Sequence, residues 1–184
     1  MKDHLDAVMS LNNIINVEFI NKLVPFIKYK AKKNMKIFGN RVNTKVRNVK
    51  GHHLIVDNGP TDTFYWNYIK KEIERLYSFY KIKFPKMESF KINQIDLLKY
   101  GVGGKYNVHT DNGTGLNRHL SIIMNLNNDY KGGELIFTDQ KNKEIKKIEL
   151  EKGSIVFFPS NFMYPHGIQP IIEGTRYSIV AWLE

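Results

Sequence analysis

From Lys91 to the C-terminus the chain is a succession of short β-rich runs: INQIDLLKY, HLSIIMNL, GGELIF, KKIEL, GSIVFFP and TRYSIVAWL, separated by Gly, Asn, Asp and Pro. Strands of this length at this spacing predict an antiparallel sandwich or barrel. The first half reads differently. Residues 17 to 33 place Phe19, Ile20, Leu23, Val24, Phe26, Ile27 and Ala31 near helical spacing, with Asn16 as N-cap, a lysine-rich last turn and Pro25 as an interior kink or break. A stronger pattern spans residues 61 to 80, where Thr61 or Asp62 caps after Pro60. Its apolar stripe is Phe64, Tyr65, Tyr68, Ile69, Ile73, Leu76 and Tyr80. The expected architecture is therefore α+β, mainly β, with the helices bracing one sheet from outside. Between them, residues 34 to 60 are rich in Lys, Asn and Gly and too long for a plain turn. Their KIFG and HHLIVDN stretches suggest an early strand pair or a lid over substrate.

A chain of 184 residues favours one domain over 1–184, with helical support and variable strands in 1–90 and the β core in 91–184. No apolar run approaches the roughly 20 residues of a membrane helix. The N-terminal MKDHLDAVMS lacks the apolar core of a signal peptide, so a soluble, cytoplasmic protein is expected. The formal charge of +10 raises nucleic acid as a partner. However, only five of the 28 basic residues are Arg, and Lys, Asn and Ile together fill 63 of 184 positions. All three have A/T-rich codons, and lysines spread along a chain are what a solvated surface looks like.

The chain has no cysteine, which excludes disulfides, thiolate zinc sites and cysteine nucleophiles together. Any metal must use His, Asp or Glu. Of the six histidines, His4, His52, His53 and His119 read as surface or hydrogen-bonded residues. His109 differs because Asp111 follows it by two, and on a strand such residues point to one face. His166, just after the run GSIVFFP, supplies a third ligand. Two His and one carboxylate form the facial triad of non-haem Fe(II) oxygenases, which leaves coordination positions open. Arg176 follows in TRYSIVAWL, among residues that read as buried. A buried guanidinium needs an anion, and only Glu173 is acidic nearby.

In order, LLKYGVGGKYNVHTDN, NRHLSIIMNLN, DYKGGELIF, GSIVFFPS, PHGIQP and TRYSIVAWL resemble the Fe(II)- and 2-oxoglutarate-dependent dioxygenases, in particular the prolyl 4-hydroxylase-like branch. The resemblance covers residues 92 to 184 and implies a double-stranded β-helix, or jelly-roll, core. It implies His109, Asp111 and His166 as iron ligands and Arg176 as the partner of the distal carboxylate of 2-oxoglutarate. Tyr100 and Leu135 match positions lining the co-substrate pocket, and Arg118 and Trp182 match positions facing substrate. Asn125 falls where close relatives carry a tyrosine that touches 2-oxoglutarate. Tyr106 and Asn112 flank the triad and are candidates to orient it. Gly132 and Gly133 read as a turn requirement.

The resemblance further implies Fe(2+), 2-oxoglutarate and O2, with ascorbate as an accessory reductant. The implied reaction hydroxylates a prolyl residue in a peptide or protein while 2-oxoglutarate gives succinate and carbon dioxide. A free amino acid, a lysyl residue or a nucleic-acid methyl group are alternative targets, as is a catalytically silent metal-binding jelly roll or a cupin-like hydrolase or isomerase. The demethylase branch carries further arginines after the position of Arg176, and here none follows. The sequence assigns no oligomeric state.

Overall fold

In the computed structural model, which describes residues 4–37, 39, 41–88, 91–113 and 115–184, almost every strand expected from the sequence is present. The chain runs β1 (Met9–Leu11), α1 (Val17–Lys30), β2 (Lys33–Asn34), β3 (Arg47–Asn48), β4 (Lys50–His53) and α2 (Pro60–Lys83). There follow β5 (Ile92–Tyr100), β6 (Lys105–His109), β7 (Leu120–Asn125), β8 (Tyr130–Gly132) and β9 (Leu135–Thr138). The last strands are β10 (Glu144–Ile148), β11 (Ile155–Pro159), β12 (His166–Ile168), β13 (Ile171–Gly174) and β14 (Arg176–Leu183). A seven-stranded sheet orders β1-β11-β7-β14-β5-β4-β2, and a five-stranded sheet orders β10-β9-β12-β6-β3. Every pairing is antiparallel, as in a jelly roll.

The central strands read as nearly continuous apolar runs because both faces of the large sheet are covered. Side chains alternate between two cores. Ile95, Leu97, Ile122, Met124, Ile155, Phe157, Ile179 and Ala181 point one way, into a cluster with Phe19, Ile20, Leu23 and Ile27 of α1 and Ile69, Ile73 and Leu76 of α2. Leu98, Tyr100, Ile123, Val156 and Phe158 point the other way, and meet Leu135, Phe137 and Ile168 of the small sheet. The space between the sheets is therefore reached by every second residue of β5, β7, β11 and β14. Arg176, Ser178, Val180 and Trp182 share the register of that inner face.

Local chemistry explains the helix starts. Asn16 caps α1 as expected, its Oδ1 accepting from the backbone N–H of Glu18 (2.7 Å) and Phe19 (3.2 Å). Pro25 is accommodated within α1. At α2 the expected cap is corrected: Gly59 is the N-cap, Pro60 opens the first turn, and no side chain caps. Asp62 is 1% exposed and accepts instead from His52 Nε2 (2.6 Å) and Asn58 Nδ2 (3.1 Å), with Lys30 Nζ at 3.5 Å. Phe64, expected in the stripe, is 57% exposed.

Residues 34 to 60 contribute to both sheets: β4 extends the large one beside β5, and β3 extends the small one beside β6. The HHLIVDN stretch ends β4 and continues into a short 3-10 turn, Val56–Asn58. In KIFG, residue 38 lies outside the described residues. Among the described residues no helix is long and apolar enough to cross a membrane.

Candidate metal centre between the sheets

His109 ends β6 and His166 opens β12, and the two are direct cross-strand partners, with ring centroids 4.4 Å apart. The strands approach closely because residue 167 is Gly, where a Cβ would lie 2.9 Å from the Tyr106 carbonyl oxygen. Asp111 sits just past the end of β6 and turns back toward both rings. His109 Nε2 lies 3.3 Å from Asp111 Oδ1, His166 Nε2 lies 3.4 Å from Oδ2, and the three ligand atoms are all within 4.8 Å of one another.

The two rings are held alike. His109 Nδ1 lies 2.9 Å from the Asn107 carbonyl and His166 Nδ1 lies 3.0 Å from the Tyr164 carbonyl, each two residues upstream. An imidazole that donates through Nδ1 presents a bare Nε2, the form that ligates a metal. Burial and the neighbouring His166 push the His109 imidazole down, toward that neutral form. Burial alone raises the Asp111 carboxyl, but His166 and His109 outweigh it and leave the group well below its usual range, hence ionised. Asp111 Oδ2 also accepts from Ser121 Oγ (2.6 Å), which contacts Ser160 Oγ (2.8 Å). Tyr106 stacks on His109 at 3.6 Å between centroids, and Asn112 contributes its backbone N–H to Ser160.

Across the cavity, Arg176 begins β14 in the interior of the large sheet, 1% exposed. Its Nε donates to Asn125 Oδ1 (3.1 Å) and its guanidinium lies 5.1 Å from the Tyr100 ring centre. Nη2 is buried with no hydrogen-bond partner. Glu173, the acidic residue near it in sequence, pairs with Lys131 instead (2.6 Å). Gly133 packs against Arg176: φ is +72° and a Cβ would come 2.4 Å from Ile171 and 3.3 Å from Arg176 Cδ, so both the backbone and the space require glycine. Burial raises the Tyr100 hydroxyl, opposed by Arg176 and Arg47, which keeps it a neutral donor.

These groups line one small cavity, closed elsewhere by Leu98, Ile123, Ile168, Val180 and Trp182. Its wall thus brings together His109, Asp111, His166, Arg176, Tyr100 and Trp182. Arg118 lies against Trp182, its guanidinium 3.7 Å from the ring centre, and donates to Gln94 Oε1 (3.1 Å). Two expected co-substrate contacts stand back from the wall. Leu135 is packed in the inner core, and Asn125 is fully buried behind Arg176, its Nδ2 donating to Asn127 (2.6 Å) and Leu150 (2.8 Å) carbonyls. Asn125 therefore aims Arg176 through its own Oδ1. The sequence reading missed Arg47, which lines the cavity from β3, and Ser121, a lone hydroxyl at an inward position of an apolar strand.

The donor set suits a divalent transition metal with open positions, and the orphaned guanidinium suits a carboxylate bound beside it. The residues therefore fit iron and 2-oxoglutarate.

Residues 95–184 match the family described as the 2OG-Fe(II) oxygenase superfamily. A PKHD-type hydroxylase of Synechococcus sp. (strain JA-2-3B'a(2-13)) is 28% identical over 120 residues, 61% of this chain and 50% of the relative. Another, from Synechococcus sp. (strain CC9902), is 35% identical over 108 residues, 54% of this chain and 47% of the relative. The chain spans about half the length of these curated relatives. Among solved structures, the prolyl hydroxylase from Trichoplax adhaerens, in complex with a hypoxia inducible factor peptide fragment, superposes with a TM-score of 0.77 at 19% identity, covering 98% of this chain and 85% of that one. A Pseudomonas putida prolyl-4-hydroxylase gives 0.73 at 19%, covering 99% and 96%. Through residues 95–184, about half of its length, this chain is similar to the 2OG-Fe(II) oxygenase superfamily.

Proposed function

We propose that the protein is an Fe(II)- and 2-oxoglutarate-dependent dioxygenase that hydroxylates a prolyl residue in a peptide or protein. The observation that carries this reading is the opposition, across one cavity, of the His109–Asp111–His166 cluster and the unpartnered Nη2 of Arg176. His109, Asp111 and His166 would hold the iron, and Arg176 with Tyr100 would hold the far carboxylate of 2-oxoglutarate. When bound, iron and 2-oxoglutarate would activate dioxygen, the oxidant, so that one oxygen atom ends in succinate as carbon dioxide is lost and the other in the hydroxyl group of the product.

The chain's own residues position and shield. The Nδ1 bonds to the Asn107 and Tyr164 carbonyls fix both imidazoles with Nε2 inward. Ser121 holds the Asp111 carboxylate in orientation. Asn125 aims Arg176. Leu98, Ile123, Ile168 and Val180 keep water away from the reacting end, which strengthens every charge contact inside and protects the protein from stray oxidation. The prolyl target is supported by the neighbouring prolyl hydroxylase structures and by the Arg118–Trp182 pair beside the cavity.

The test is anaerobic calorimetry of 2-oxoglutarate against the Fe(II)-loaded protein, followed by succinate release in air and mass spectrometry of proline-containing peptides. Iron-dependent succinate together with an added oxygen atom on proline is expected. Succinate with no modified proline overturns the substrate assignment, and no succinate overturns the reaction.

A further inference from the structure

Arg47 is a buried cation with no carboxylate partner among the described residues. It is 8% exposed and lines the same cavity as the metal cluster. Its Nη1 donates to the Lys36 carbonyl (2.7 Å), a neutral acceptor, while Nε is buried with no partner. Among the described residues no ion pair joins it to a carboxylate. Its guanidinium lies 4.7 Å from the centre of the Tyr106 ring, the ring that stacks on His109. Pairing of β3 with β6, which sets Arg47 opposite Tyr106, places it in the small sheet. Arg176 belongs to the large sheet, so the two guanidiniums approach the cavity from opposite walls.

The charges around the cavity do not balance. Arg47, Arg118 and Arg176 face two carboxylates, Asp111 and Asp96. Asp111 is committed to the metal cluster, and Asp96 already accepts from His53 (2.5 Å) and Gln94 (2.8 Å). Burial depresses the charge of Arg118; Asp111 and Asp96 oppose that, and Arg47 adds to it, as expected of cations sharing one low-dielectric region. On the proposed reading a divalent iron and a doubly charged 2-oxoglutarate cancel each other, so one positive charge remains in excess. A buried charge left uncompensated is costly, and such groups persist where a ligand supplies the counter-ion.

We infer that Arg47 is a specificity-determining residue that receives an acidic side chain flanking the hydroxylated residue, so that the preferred substrate is an acidic peptide. This rests on the dioxygenase reading. Arg176 has its own orphaned donor and its own aiming residue in Asn125, which leaves Arg47 for the substrate side. The +10 net charge of the chain acts in the same direction at long range, drawing acidic chains toward the cavity.

The test compares pairs of synthetic peptides identical except that the residue beside proline is Glu or Gln. Wild-type protein should show a kcat/KM ratio of about tenfold in favour of Glu, the order expected for a desolvated ion pair. In Arg47→Gln the ratio should fall near one, and in Arg47→Lys it should be partly kept. Because the ratio is taken within one protein, a variant that folds poorly loses both rates together and leaves it unmoved. A wild-type ratio near one, or an unchanged ratio in Arg47→Gln, overturns the inference. So does an Arg47→Gln variant that raises KM for 2-oxoglutarate while keeping the peptide ratio. Succinate release by wild-type protein separates the two levels. With succinate and no preference, the inference falls and the dioxygenase reading stands; without succinate, both fall.

Discussion

The seven-stranded sheet has two faces built from the same strands, and they treat polar groups in opposite ways. The consecutive histidines of β4 illustrate this. His52 points toward the helices and meets Asp62, whose carboxylate is also bonded by Asn58 and approached by Lys30. His53 points toward the cavity and meets Asp96, whose second oxygen is buried without a partner. The contrast extends over both faces. Arg47 Nε, Asp96 Oδ2, Arg118 Nε, Arg176 Nη2, Ser178 Oγ and Trp182 Nε1 are buried and unbonded, and all belong to the cavity side. On the helix side the buried hydroxyls of Tyr65, Tyr77 and Tyr80 each reach a backbone carbonyl. Buried polar atoms are normally satisfied, so a cluster of exceptions marks where stability has been given up for ligand binding.

Breaking the cavity side at its centre should give the largest effect. Asp111→Ala removes the only carboxylate of the metal cluster, and iron-dependent succinate release should fall below detection, with no Fe(II) binding by calorimetry. The apolar helix face is untouched, so the thermal midpoint should move by only a few degrees. Measurable turnover would remove Asp111 from its assigned role.

Breaking the helix side should do the reverse. Asp62→Ala strips His52, Asn58 and Lys30 of their shared acceptor in a site 1% exposed. Loss of one partner from such a buried network costs about 3–5 kcal/mol. The urea midpoint should drop accordingly while the folded fraction keeps its turnover. An unchanged midpoint would mean that water replaces the network.

Arg176→Met separates the two costs within one residue. The apo protein loses an unpaired buried charge for a chain of similar volume, so its stability should hold or rise, by up to about 4 kcal/mol. Binding of 2-oxoglutarate should weaken by about a hundredfold, the order for lost charge-assisted hydrogen bonds. A variant that loses stability and keeps its affinity would reverse the assignment of Arg176.

The two faces also differ in how far they were legible in the sequence. Helix α1 was readable because its determinants are local: Asn16 bonds backbone two and three residues away, and the apolar stripe repeats at helical spacing. Asp62 was misread as a cap because its main partner, His52, reaches it only through the packing of β4 against α2. At the cavity, the two-residue spacing of His109 and Asp111 is informative only with His166 as third ligand, Arg176 is legible as a cation among apolar flanks, and the order of whole motifs adds their implied roles. Arg47 left no local signal, since its place on the wall follows from the pairing of a two-residue strand with β6. Asn125 is expected at the co-substrate only from its place in the family resemblance; its saturated hydrogen bonds, which set it behind Arg176, are visible only in three dimensions.

The smallest effect tests the His53 and Asp62 sites against each other by pH. The hydrogen bond to Asp96 raises the His53 imidazole, against burial and with Arg47 and Lys36 limiting the rise. A basic group raised on folding contributes fully below its unfolded value, about 6.5, and the contribution fades as pH climbs through the folded value. At Asp62 burial works to raise the carboxyl, but Asn58 and His52 prevail and lower it. An acid lowered on folding contributes above its unfolded value and loses that only in acid, so the Asp62 contribution is flat across neutrality. Stability lost in His53→Gln should therefore be greater at about pH 5.5 than at about pH 8.5. Half of the His53 side chain is in water, so the difference should stay below about 1 kcal/mol. Urea titrations of wild type and variant at both values measure it. A greater loss at the alkaline value would mean that Asp96 binds the neutral imidazole rather than the charged one.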